Sequence, residues 1–129
     1  MASVLILSSC GLGSTSLGGV TIMRSKHLDS EPDASRQGTF LLQNGCAWLK
    51  DEISADVWSV VWPSDAYLDG APGFIRVNVG GKSIVDGQRV TLGGGEYADD
   101  AWVESLVGKI PPACKSGLYW LATRVISSP

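Results

Sequence analysis

Two cysteines, Cys46 and Cys114, are the residues of this chain best placed to do chemistry. One stands in Asn44-Gly45-Cys46-Ala47-Trp48-Leu49, the other in Pro111-Pro112-Ala113-Cys114-Lys115 ahead of Leu118-Tyr119-Trp120-Leu121. Zinc sites gather thiolates in close Cys-x-x-Cys pairs, and these two are isolated, so no metal and no cofactor is expected. A cysteine or serine nucleophile needs a base, and the single histidine is His27, in a polar stretch that reads as a linker. Cys-His and Ser-His-Asp centres are therefore disfavoured. Two readings of the pair remain. As free thiols the cysteines are small packing groups. As a disulfide they close a loop of about 70 residues, which chain entropy values at about 4 kcal/mol. The disulfide is the favoured reading. It implies an oxidising, extracytoplasmic compartment, whether secreted, periplasmic or at a lipid-anchored cell envelope.

The third cysteine, Cys10, follows Leu7-Ser8-Ser9 and precedes Gly11. This looks like a lipobox, which would make Cys10 a lipid anchor and the one attachment to a membrane. The leader before it departs from the pattern. Met1-Ala2-Ser3 carries no Lys or Arg, and Val4–Leu7 is shorter than the roughly 7–15 apolar residues of such a leader. The same string also fits a start codon placed downstream of the true one, or a chance Ser-Ser-Cys. Nowhere does the chain offer the roughly 20 consecutive apolar residues of a spanning helix.

Carboxylates are the next candidates. Glu96 follows Gly93-Gly94-Gly95, and with Asp65, Asp99 or Asp100 it could serve a small carboxylate-dependent hydrolase. The plainer reading makes these turn and cap residues, and it is preferred. The glycine run lacks the Gly-Lys-Ser/Thr ending of a phosphate loop and reads as a bulge or tight barrel corner. Five tryptophans fall in 129 residues, and a small core needs most of them. Trp62, just before Pro63 at a strand end, is the one expected to be exposed. Together with Glu96 and Tyr97 it forms the candidate ligand contact.

The elements that position these residues are mostly strands. Val57-Trp58-Ser59-Val60-Val61-Trp62 is the strongest, with Trp58, Val60 and Trp62 on one face. Ile75, Val77 and Val79 alternate with Arg76 and Asn78. Gly80-Gly81 and Asp86-Gly87 supply hairpin turns, and Val90 and Leu92 face inward. Gly93–Tyr97 reads as a loop. Asp99 or Asp100 caps a short helix through Val107, stopped by Gly108 and Pro111-Pro112. Leu118–Val125 is the closing strand. Residues 1–37 read as a leader remnant and flexible linker, although Val20–Met23 could form a short strand; residues 38–129 form the domain. The fold class is all-β with one short helix: a small antiparallel β-barrel, OB-like, with a β-sandwich as the alternative.

The order Asn44-Gly45-Cys46, Val60-Val61-Trp62-Pro63, Asp86-Gly87 to Arg89-Val90, Gly93-Gly94-Gly95-Glu96, then Cys114 and Tyr119-Trp120-Leu121 resembles a group of small, uncharacterised bacterial exported proteins, predicted lipoproteins among them. The resemblance covers most of the domain and implies a β-barrel and export, with no activity attached.

A net charge of −3 and a pI near 4.9 disfavour a phosphate-backbone partner. The expectation is a monomeric, non-catalytic extracytoplasmic module for binding or envelope structure, whose partner is a protein or small ligand and not a nucleic acid. A carboxylate-dependent hydrolase and a nucleic-acid-binding OB domain are the competing classes.

Overall fold

The computed structural model describes residues 13–26 and 32–127. Among these, ten strands and one helix follow in order. They are β1 (Ser14–Leu17), β2 (Val20–Arg24), β3 (Ala34–Gln43), β4 (Cys46–Asp51), β5 (Val57–Trp62), β6 (Tyr67–Ala71), β7 (Phe74–Val79), β8 (Lys82–Val85), β9 (Arg89–Tyr97), α1 (Asp100–Val107) and β10 (Tyr119–Ser127). A 3₁₀ turn, Pro112–Cys114, precedes β10.

Five of the strands close a barrel, each hydrogen-bonded to the next in the order β3-β4-β5-β10-β9 and back to β3. Numbered by chain order within the barrel, the circuit runs one-two-three-five-four-one. The one parallel joint in this ring sets Tyr119 opposite Ser59 and Leu121 opposite Val61. This is the Greek-key barrel of the OB type that the strand order predicts. Local chemistry makes the first hairpin. Asn44 and Gly45 both take positive φ, 55° and 80°, as the tight turn between β3 and β4 requires.

Alternation divides the apolar residues into two layers. Inward positions (Phe40, Leu49, Trp58, Val60, Trp62 and Trp120 among them) fill the barrel. Outward positions Cys46, Val61, Tyr119 and Leu121 pack beneath α1, against Val103, Val107 and Ile110. The sheet β6-β7-β8 is inserted between the third and fourth barrel strands. Its inner residues Val77, Val79 and Ile84 join the barrel core.

Three expectations need correction. Asp86-Gly87 does not make a hairpin: β8 pairs with β7 in the inserted sheet, whereas β9 pairs with β3 and β10 in the barrel. Part of the stretch read as linker is folded: β1 and β2 form a hairpin, and β2 runs parallel to β5 with Met23 opposite Val61. Ile22 and Met23 are fully buried, so the hairpin is held by apolar area despite its glycine and serine content. β3 likewise starts at Ala34, ahead of the expected boundary at residue 38. Gly93-Gly94-Gly95 is not a loop but the middle of β9. It fits the tight-corner reading: a Cβ on Gly94 would collide with the Leu121 carbonyl oxygen, and the β10 ladder beside it is bulged between Ala122 and Arg124.

Candidate functional site

The cysteines come together. Cys46 opens β4, Cys114 ends the 3₁₀ turn, and their sulfurs are bonded at 2.09 Å with the Cα atoms 5.4 Å apart. Both are fully buried. The link runs from a strand to the segment before β10 rather than strand to strand. Its consequence is positional. In OB barrels the second and third strands, with the loops after the first and fourth strands, form the usual ligand face. Here the segment after the fourth barrel strand carries α1, which lies over the outer faces of β5 and β10. The disulfide ties that segment down to β4.

Helix α1 is built as its sequence implies. Asp99 caps it, its carboxylate accepting from the N–H groups of Ala101 and Trp102 at 3.0 and 3.3 Å. The Tyr119 hydroxyl donates to Asp100 Oδ1 at 2.6 Å. Burial first, and this hydrogen bond second, hold the Tyr119 phenol above its ordinary pKa.

The three residues expected to contact ligand do not form one site. Trp62 is fully buried, edge-on to Phe40 at 5.7 Å between ring centroids. It shares the inward face of β5 with Trp58 and Val60, and the sheet that follows Pro63 packs into the core beside it. The shared parity with Trp58 carries that signal in the sequence; the adjacent proline is the wrong guide. Glu96 and Tyr97 point to opposite sides of β9. Tyr97 stacks on Trp102 outside the barrel, at 4.1 Å and 24°. Glu96 is 46% exposed and lies 3.6 Å from Arg36 Nη2. The other carboxylates are engaged elsewhere: Asp99 at the cap, Asp100 with Tyr119 and Lys115, and Asp65 in a small cleft with Lys82 and Arg124. Cys10 and His27 lie outside the described residues.

A constellation that sequence reasoning missed stands at one end of the barrel. Each barrel strand contributes a residue there: Arg36 from β3, Asp51 from β4, Trp58 from β5, Glu96 from β9 and Trp120 from β10. The Arg36 guanidinium lies over the Trp58 ring at 4.6 Å and near that of Trp120 at 5.5 Å, with the two indoles edge to face at 6.3 Å. A cation over an indole face is worth about 0.5–2 kcal/mol, the more so when water is excluded. Arg36 Nη1 also reaches Asp51 Oδ1 at 3.3 Å. Asp51 is held chiefly by its own turn. Its Oδ2 accepts from the N–H groups of Ser54 and Ile53 and from the Ser54 hydroxyl, at 2.7, 3.0 and 3.0 Å. Above all the Ser54 N–H, with smaller help from Ile53, the Ser54 hydroxyl and Arg36 and against the opposing effect of burial, brings its pKa down to about 2. Composition puts Arg36 in the linker and Asp51 in a polar turn. Counting back by twos from Phe40 through Gly38 to Arg36 is the one signal that could find the arginine.

A second concavity, of about 380 Å³, opens between the β1–β2 turn and the β6–β7 hairpin. Gly18, Val20, Leu42, Phe74, Ile75 and Val85 line it, and Phe74 is 61% exposed. Among the described residues no group of three or more His, Cys, Asp or Glu side chains is placed to hold a metal ion. Compared with protein-family models, curated proteins and solved structures, the chain matches none.

Proposed function

We propose that this chain is a non-catalytic, extracytoplasmic binding module, tethered through Cys10 to the cell envelope and acting as a monomer. The observation that carries this reading is the buried Cys46–Cys114 disulfide. A paired cysteine is compatible with an extracytoplasmic protein, since reducing cytoplasm disfavours such bonds. The same bond supports the binding role by holding α1 over the face that OB barrels commonly offer to oligonucleotides, leaving the barrel mouth as the presented end. Asp99, Asp100 and Glu104 on or beside that helix are accompanied by Lys109 and Lys115, so it is the chain's net charge of −3 that speaks against a nucleic-acid partner. The hydrolase alternative needs two convergent carboxylates in a cleft. Asp99 and Asp100 are taken up at the start of α1, and Glu96 meets a second carboxylate, Asp51, only across Arg36, whose guanidinium is paired with both.

The test is the thiol state in the native host. Protein extracted under acid and alkylated at once should show Cys46 and Cys114 unmodified before reduction and labelled after it. Free thiols at both positions would sink the export reading.

A further inference from the structure

We infer that the barrel mouth is a receptor for a guanidinium group, that of an arginine residue, and that Arg36 fills it from within the chain until such a ligand displaces it. The inference rests on the binding-module reading and names its ligand chemistry.

The cage is complementary to that cation in shape and charge. Two indole rings, 1% and 2% exposed, floor it, and Asp51 and Glu96 supply two negative charges at its rim. A planar, weakly hydrated guanidinium stacks on indole and forks to carboxylates, whereas an ammonium offers only a compact point charge.

Arg36 itself fits this cage incompletely. Its two carboxylate contacts, at 3.3 and 3.6 Å, are longer than the roughly 2.7–2.9 Å of a good charge-assisted bond. Its Nε is buried without an acceptor, as are Nε1 of Trp58 and Nε1 of Trp120. A buried guanidinium N–H lacking an acceptor is a costly arrangement. A guanidinium free of the β3 backbone can settle closer to both carboxylates.

The occupant can leave. Residues 34–37 of β3 pair only with β9, because the ladder to β4 begins at Gly38 opposite Asp51. Arg36 thus rides on a strand end hydrogen-bonded along one edge, and its side chain is 32% exposed. When it departs, Asp51 keeps its charge, because Ser54 and Ile53 still donate to it.

The experiment titrates the full chain with N-acetyl-arginine amide and follows tryptophan fluorescence at constant ionic strength. The neutral citrulline counterpart is the control, and free arginine is a further arm. A saturable change with the arginine compound and none with citrulline is expected. Arg36→Ala should bind about tenfold tighter or more, because the internal competitor is gone. If Arg36→Ala fails to fold by circular dichroism, Arg36→Gln keeps the stem, removes the charge and should show the same gain. Equal affinity in wild type and variant, or an equal response to citrulline, would overturn the inference. Free arginine binding as well as the capped form assigns the ligand to the small molecule; binding by the capped form alone assigns it to a peptide. The thiol assay is independent of this titration, so failure of either is distinguishable from failure of the other.

Discussion

At the residue scale, the mouth shows how one side chain can be both misplaced by sequence reasoning and central to the structure. Asp51 is the clearest case. Its carboxylate accepts from two backbone N–H groups, one hydroxyl and Arg36, and each of these bonds favours the ionised form. A carboxylate whose pKa is depressed on folding adds stability that is complete above its unfolded value, near 4, and lost as pH falls toward the folded value of about 2. Urea unfolding of wild type and Asp51→Asn between pH 5 and pH 2 should therefore show a gap that is widest at the upper end and closes as the pH drops through about 4 to about 2. A gap independent of pH would mean that Asp51 contributes packing and not charge.

The residues expected to meet ligand separate here for a simple reason. Glu96 and Tyr97 are adjacent, and adjacent residues on a strand face opposite sides. No arrangement of β9 as a strand could put both into one contact. That is legible only once Gly93–Gly95 are known to be strand and not loop. A triple glycine carries no alternation to read, and its role becomes visible only against β10, whose Leu121 carbonyl occupies the space a Cβ on Gly94 would need.

At the element scale, the disulfide and α1 act together. Helix α1 is only eight residues long, too short to be stable alone. It is held by Val103, Val107 and Ile110 packed on the outer barrel surface and by the covalent tie at Cys114. Replacing both cysteines by serine should cost about 2–5 kcal/mol in denaturant unfolding. The loss should be uneven in hydrogen exchange: amides of residues 100–114 should lose more protection than those of β3 and β9, which the bond does not touch. Uniform loss over the whole barrel would show that the bond stabilises the fold and does not position the segment.

The helix was legible in the sequence; of the N-terminal hairpin only the second strand, at Val20–Met23, was offered. A capping aspartate, apolar residues at helical spacing and a Gly-Pro-Pro stop are local signals, and Asp99 to Gly108 follows them. The stretch up to Gly19 reads as flexible because its composition is small and polar. The hairpin folds because β5 leaves an edge beyond its pairing with β4, where Met23 and Arg24 can dock beside Val61 and Trp62. Composition cannot report an edge that another segment creates.

At the scale of the whole molecule, the inserted sheet β6-β7-β8 and the barrel share one interior. Val77 and Ile84 are fully buried within the cluster that contains Trp58, Trp62 and Trp120. Ile84→Ala should cost about 2–5 kcal/mol. Tryptophan fluorescence should report it as one cooperative transition, although Ile84 is in the insert and these indoles are in the barrel. Two separated transitions would mean that the insert is an independent unit. The two ends of the barrel then differ in kind. One is sealed by apolar side chains of the insert, the other by a single charged side chain held between two rings and two carboxylates.

What the sequence determined by itself was everything set by neighbours along the chain. Period-two alternation made the strands and sorted Trp58, Val60 and Trp62 to one face; Asn44-Gly45 made a turn; aspartate and proline bounded the helix. Together with the order of elements, this was enough for a closed β-barrel. The choice of partner was left to tertiary structure. Cys46 and Cys114 can bond because barrel closure brings β4 beside the segment before β10. Arg36, Asp51, Trp58, Glu96 and Trp120 meet because five strands end at one rim. A barrel mouth gathers one residue from each strand, at separations along the chain that no local pattern encodes.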